Sequence, residues 1–360
     1  MRRRQFLTTL PALGMSGSAL AEGVSGRSPV SAVAAASLAA PAGANAKPSM
    51  NGNYRFKIGM YLPELGLPFD EALGKAKQIG VDRVWFNTVP NEKPLAQMSD
   101  AEIDGIGQRV EKHGLKIFLI NAGNPFKGIH LTEFDLKSMD NHEGFRKEFQ
   151  ELVRSMQIAV RLKVSAVAAF TFAWPGEYSA GKPTWPMRWL TRGGVIADVD
   201  MEKLVKAFSL VAAEAERYGV DVALSMMPWN YTNTTHNFRS VVERVGSRRL
   251  KVMWGPADNL NSGEWDVATA GFHNVRPSLH GLHLKDLHVI DGVRLKFEYR
   301  PLGAGDVDYL TILRNLKAYR CDAVLSLATH FKPPSGSRVE AMEINYANLK
   351  RLVDKVEAES

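Results

Sequence analysis

The chain has 360 residues, a formal net charge of +7, and 45% hydrophobic residues, which is enough apolar material for a large core and excludes a disordered or fibrous protein. Four arginines and one glutamate within residues 1–46 account for three of the seven charges. Beyond them Lys/Arg and Asp/Glu are interspersed, so the sequence has no mark of a nucleic-acid or membrane-surface binder.

The N-terminus carries Arg3-Arg4-x-Phe6-Leu7, the form of a twin-arginine export signal, and an apolar run over Phe6–Leu20 follows. Ala19-Leu20-Ala21 and Ala44-Asn45-Ala46 are both small-x-small cleavage sites. Pro11, Gly14 and Gly17 interrupt the run, and a permanent span needs ~20 predominantly apolar residues, so no membrane anchor is expected. Residues 22–50, rich in Ala, Ser, Gly and Pro, read as a disordered linker or as part of the removed signal. The expected organisation is a signal peptide and linker over 1–46 and one folded domain over 47–360, exported to the periplasm or the exterior. The single cysteine, Cys321, excludes an internal disulfide. A domain of this size buries enough apolar surface without one.

From Tyr54 onward short apolar runs alternate with amphipathic stretches. Phe56–Leu62 reads as a first strand. A helix follows with Phe69, Ala72, Leu73, Ala76 and Ile79 at helical spacing and Gly80 as its stop. Asp82–Asn87 is a second strand, and Ser99-Asp100-Ala101-Glu102 opens the next helix as a capping box. Leu115–Asn121 is the third strand, and Phe145, Phe149, Leu152, Val153, Met156 and Val160 form the stripe of a third helix. Ser165–Phe172 is the fourth strand. A long excursion over 173–198 carries Trp174, Tyr178, Trp185 and Trp189, and suits either a lid or a subunit interface. Asp200 is read as the cap of a fourth helix through Ala215. Val220–Met226 and Leu250–Trp254 are strands five and six, with a helix around Phe238–Val245 between them. Leu279–Leu284 is the seventh strand. Gly303–Asp306 is placed at the start of a helix bearing Leu310, Leu313 and Leu316, as a tight turn or an anion cradle. Ala323–Leu327 is the eighth strand, and a last helix covers about Val339–Val353. Eight strands, each with a helix after it, predict an α/β fold, a (β/α)8 TIM barrel, with chemistry at the C-terminal strand ends.

Leu279-His-Gly-Leu-His-Leu-Lys-Asp-Leu-His288 is the stretch that points to a site. Strand alternation puts His283 and Lys285 on one face, toward a pocket, and Leu282 and Leu284 on the other. His280 falls on the face opposite His283 in a regular strand.

Three segments, Phe69-Asp-Glu-Ala-Leu-x-x-Ala-Lys-x-x-Gly80-Val, His283-Leu-Lys-Asp286 and Pro301-Leu-Gly-Ala-Gly-Asp-Val-Asp308, resemble in order and spacing the xylose-isomerase-like superfamily. The resemblance is to its sugar phosphate isomerase/epimerase group and spans about 54 to 355. It implies a barrel that holds one divalent metal on strand-end carboxylates and a histidine and moves protons between the carbons of a sugar. By that resemblance the metal ligands would be a glutamate at 225, an aspartate at 255, His283 and a glutamate at 328. The chain has Ser225, Gly255 and Ala328 there. Three of four ligands are replaced and each loss removes a carboxylate, so no metal cofactor is expected; Asp258, His283 and His330 are the remaining weak candidates. Neither Ser225 nor Ala328 can act as a general base.

Lys285 is read as a partner of a carboxylate at the mouth or of an anionic ligand. Asn230 and Asn259 are candidate partners of sugar hydroxyls, and Trp229 and Trp254, at strand ends, are candidates to stack on a sugar ring. With Trp174, Asp258 and His330 these complete the expected substrate-binding set. The expected partner is a small-molecule carbohydrate, with no nucleic acid; barrels of this group also form homodimers. Two readings follow: an isomerase/epimerase-like barrel with altered chemistry, or a non-catalytic exported carbohydrate-binding relative.

Overall fold

Parallel strands need crossover connections, and here amphipathic helices supply them. The barrel strands are β1 (Lys57–Tyr61), β2 (Arg83–Phe86), β3 (Lys116–Ile120), β4 (Ala166–Ala169), β5 (Asp221–Ser225), β6 (Leu250–Trp254) and β7 (Leu279–Leu284). An antiparallel hairpin, β8 (Asp286–Asp291) and β9 (Lys296–Arg300), precedes the last barrel strand, β10 (Val324–Leu327). β10 pairs in parallel with both β7 and β1 and closes the sheet. The helices are α1 (Phe69–Ile79), α2 (Asp100–Lys112), α3 (Glu143–Arg161), α4 (Asp198–Tyr218), α5 (Thr235–Val245), α6 (Pro256–Asn261), α7 (Phe272–Val275), α8 (Tyr309–Ala318) and α9 (Arg338–Ala358). This is a (β/α)8 TIM barrel. It is a computed structural model that describes residues 54–174, 194–292 and 296–359. The signal and linker segment, and Tyr178, Trp185 and Trp189 of the excursion, lie outside the described residues. No helix among the described residues is long and apolar enough to cross a membrane.

Local chemistry sets the helix ends. Ser99 and Glu102 form the reciprocal capping box at the start of α2. Gly80 ends α1 with φ +112, a conformation that a Cβ would strain. Two apolar clusters result. The larger one lies between the sheet and the helices and includes Met60, Phe86, Leu224 and Trp254. The smaller one, with Trp85, Phe118, Met253 and Val324, fills the barrel interior. There Ala166, Ala168 and Ala223 leave room for the rings of Trp85 and Phe118.

Four features differ from the sequence reading. α4 begins at Asp198 after an Ala197 cap, and Asp200 instead accepts a hydrogen bond from the Tyr231 hydroxyl at 3.0 Å. α8 begins at Tyr309, capped by the Asp308 side chain, so Gly303–Asp306 lies before the helix. The hairpin β8–β9 was not expected; its inward residues Leu287, Val289, Phe297 and Tyr299 alternate with exposed His288, Ile290, Lys296, Glu298 and Arg300. Finally, the β6–β7 register shifts between Val252 and Met253, opposite His280. This bulge turns His280 inward, where Nε2 lies 3.2 Å from the Phe118 carbonyl oxygen across the barrel.

Gly303–Val307 is fastened by the last residue of His283-Leu-Lys-Asp286. The Asp286 carboxylate accepts N–H bonds from Gly303 (2.8 Å), Gly305 (3.1 Å), Val307 (3.4 Å) and Leu287 (2.9 Å). The loop therefore does cradle an anion, and the anion is the chain's own. Burial pushes this carboxyl up to about 6, and the four donors work in the opposite direction. A Cβ at Gly305 would come within 2.5 Å of the Leu287 carbonyl oxygen, so the loop approaches too closely for a side chain there. Asp286→Ala should cost about 2–4 kcal/mol in urea unfolding, because several buried N–H groups lose their acceptor together. A loss under ~0.5 kcal/mol would show that water replaces the carboxylate.

Candidate functional site

The C-terminal strand ends surround a cavity of about 250 Å³. Residues at or just after the strand ends supply its wall: Tyr61 from β1, Asn87 after β2, Asn121 after β3, Phe170 after β4, Ser225 from β5 and His283 from β7. Asn124 and Lys127 come from the loop after β3, Trp229 from the loop after β5, Asp258 from α6, Tyr299 from the hairpin, and His330 from the loop after β10. The placement follows from alternation. His283 shares the inward face with Gly281, and Ser225 shares it with Ala223.

An ion pair lies at the centre. Lys285 Nζ donates to Asp258 Oδ1 at 2.9 Å, and the two side chains are only 4% and 7% exposed. The Lys285 carbonyl accepts from the Tyr309 hydroxyl at 2.5 Å, which fixes the backbone beneath the ammonium. Burial opposes the Lys285 charge, and the Asp258 carboxylate more than offsets it, so the ammonium stays above its ordinary value. Burial also raises the Asp258 carboxyl, with Lys285 and Lys127 pulling it back. Asp258 Oδ2 is buried without a described hydrogen-bond partner.

The histidines respond to these cations. Burial, then Lys285, His330 and Lys127, hold His283 well below its usual value, so it is neutral. Its ring lies 5.9 Å from the Trp85 ring and 6.2 Å from that of Tyr61, and those two rings stack at 4.1 Å. Partial burial and the same lysines also push His330 down, although its ring edge is exposed at the mouth, 4.8 Å from the Tyr299 ring. Tyr61 donates to Asn87 Oδ1 at 2.6 Å, and Asn87 donates to Asn124 Oδ1 at 3.3 Å.

Of the residues expected from the sequence, the structure brings His283, Lys285, Asp258, Trp229 and His330 to the cavity, with Ser225 beside them. It does not bring four others. Asn259 is fully buried; it accepts from Trp254 Nε1 at 2.8 Å and donates to the Asn233 carbonyl at 2.8 Å. Trp254 has the opposite alternation to Met253 and packs outside the barrel, 6.4 Å from Phe272. Asn230 donates to the Phe172 carbonyl at 2.8 Å. Trp174 stacks on Tyr231 at 4.0 Å. The sequence reading missed Tyr61, Trp85, Asn87, Asn121, Asn124, Lys127 and Tyr299. Asn87 and Asn121, directly after β2 and β3, were findable by the strand-end rule applied to the first half of the chain.

The family model of the xylose isomerase-like TIM barrel matches residues 73–351. The chain belongs to this family. Among similar solved structures, an L-ribulose 3-epimerase has a TM-score of 0.61 at 16% identity over 84% of this chain and 96% of its own. A xylose isomerase domain protein from Planctomyces limnophilus has 0.59 at 16% identity over 84% and 98%. A xylose isomerase-like TIM-barrel protein from Mycobacterium smegmatis, solved in complex with magnesium, has 0.57 at 15% identity over 85% and 98%. These likenesses concern the fold. A comparison with curated protein sequences finds no match.

Removing one member of the buried pair strands the other. Lys285→Met should cost about 3–5 kcal/mol in urea unfolding, and Lys285→Met with Asp258→Asn should recover most of that loss. Equal losses for the single and double variants would show that the two groups do not act as a unit.

Proposed function

We propose that the barrel mouth binds a small carbohydrate without a divalent metal. The observation that carries the reading is the Asp258–Lys285 pair: the Asp258 carboxylate in the cavity wall is already taken by an ammonium at 2.9 Å. The divalent ion that the family resemblance implies does not fit this donor set. Hard cations need several oxygen ligands, and positions 225, 255 and 328 hold Ser, Gly and Ala. No group of three His, Cys, Asp or Glu side chains suited to a metal converges among the described residues.

What the cavity offers instead suits a polyol. Asn87, Asn121, Asn124 and Ser225 present amides and a hydroxyl, and Tyr61, Trp85 and Trp229 present aromatic faces. That division, a few polar groups on an aromatic wall, is how small-molecule sites obtain both orientation and affinity. The similar structure named as an L-ribulose 3-epimerase supports a monosaccharide as the ligand class. The reading is one of binding: Ser225 and Ala328 cannot accept a proton from carbon, His283 is kept neutral as a weak base, Lys285 is kept protonated, and the wall's second carboxylate, Glu64, has its carboxyl raised by burial with Lys285 acting against the rise.

Elemental analysis of the purified protein should find well under one divalent metal per chain. Thermal-shift screening against sugars, polyols and sugar acids should give stabilisation that EDTA leaves unchanged and that His283→Ala or Trp229→Ala reduces by about tenfold in affinity. One tightly held metal per chain, or a shift abolished by chelator, would overturn the reading.

The same reading places this pocket outside the cytoplasm, since Arg3-Arg4-x-Phe6-Leu7 has the form of an export signal. In cell fractionation the protein should leave the cytoplasm, and Arg3→Lys with Arg4→Lys should retain it there. Unchanged distribution of the variant would sink the export route.

A further inference from the structure

Resting on the preceding reading, we infer that the ligand is a polyhydroxy carboxylate, a sugar acid, and that Lys127 receives its carboxylate. Lys127 lines the cavity from the loop after β3, and its ammonium lies 5.3 Å from the centroid of the Phe170 ring. No carboxylate among the described residues pairs with it. The acidic side chain whose field reaches it is Asp258, which is already bound to Lys285. A half-buried ammonium without a counter-ion costs free energy, so a chain that carries one toward a cavity gains when a bound anion supplies the missing charge.

The surrounding charges agree. Lys127 and Lys285 face the cavity against Asp258 and Glu64, and Lys285, then Arg338, act on Glu64. Of these four, Lys285 and Asp258 are joined at 2.9 Å, whereas Lys127 has no carboxylate at ion-pair distance among the described residues. Burial and the nearby Lys285 also pull the Lys127 ammonium below its ordinary value, as expected for a cation awaiting an anion.

The backbone holds Lys127 in this position at a cost. Phe126, directly before it, has φ +64, a left-handed conformation that an aromatic residue rarely adopts. The Phe126 N–H donates to the Glu148 carboxylate, and its ring stacks at 4.8 Å on Phe172 and at 5.6 Å on Phe145. That turn buries the phenylalanine below the mouth and directs the next side chain into it. Asn121, on the same side, has a buried Oδ1 with no described donor, an acceptor suited to a ligand hydroxyl. A carboxylate matches the site better than a phosphate ester, because one uncommitted ammonium balances one charge and the cavity of about 250 Å³ suits a single monosaccharide-sized molecule.

The test is calorimetric titration of the full chain with matched ligands: aldoses, the corresponding aldonates and uronates, and aldose phosphates. At least one acid should bind about 10- to 100-fold tighter than its neutral counterpart. Lys127→Met should remove that preference, and Lys127→Arg should keep it. Neutral sugars binding as tightly as the acids, a preference that survives Lys127→Met, or a phosphate ester binding tighter than the carboxylate would overturn this inference while leaving carbohydrate binding intact. Absence of binding by every sugar and acid would overturn both.

Discussion

The contact on which the rest of the mouth depends is the buried pair of Lys285 and Asp258. Moving two charges out of water is costly, and their attraction offsets that cost only at hydrogen-bonding distance with the backbone fixed around them. Both conditions hold: 2.9 Å between the charged atoms, and the Lys285 backbone held by the Tyr309 hydroxyl. The pair also determines which residue can stand at 255. A Cβ built there would come within 2.5 Å of Asp258 Oδ2. A side chain at 255 and the present Asp258 conformation therefore exclude each other. The acid is three residues further along, and an ammonium fixed to the chain sits against it.

The fold was legible in the sequence because its signals are local. The stripe Phe69, Leu73, Ala76, the capping box at Ser99 and the glycine stop at Gly80 each need only a few neighbouring residues to be read, and α1 and α2 have the expected bounds. Side-chain direction is a harder matter, since one residue of slip reverses it. Trp254 stands at a strand end, as expected, but it has the alternation of Val252 rather than that of Met253 and so meets helices instead of ligand. His280 fails in the opposite sense. A bulge in the β6–β7 pairing carries it inside, and a bulge is a property of two strands together, which one strand's residues do not announce.

The hairpin β8–β9 was illegible for a related reason. Its strands are rich in charge, and only contact with the barrel distinguishes Leu287, Val289, Phe297 and Tyr299 from an exposed loop. Missing it had two consequences: Tyr299 was absent from the expected site, and the split within His283-Leu-Lys-Asp286 was not visible. His283 and Lys285 turn to the cavity, whereas Asp286 turns to the loop over 303–307. One short motif thus lines the cavity and fastens the fold at once, and the four N–H bonds to Asp286 hold the strand end that presents Lys285.

Little of the barrel's cohesion lies at its mouth. The larger apolar cluster is between sheet and helices, and the interior cluster is formed by Trp85, Phe118 and their neighbours; Ser225 and Gly255 belong to neither. A hydroxyl at 225 and a hydrogen at 255 leave both cores filled. What the pocket requires is charge balance at low dielectric: Lys127 and Lys285 face it with Asp258 and Glu64, and each of the two lysines needs a counter-ion within reach. Asp258 compensates one of them from within the chain. The other, Lys127, is turned inward by a strained residue and carries the charge that a ligand has to meet.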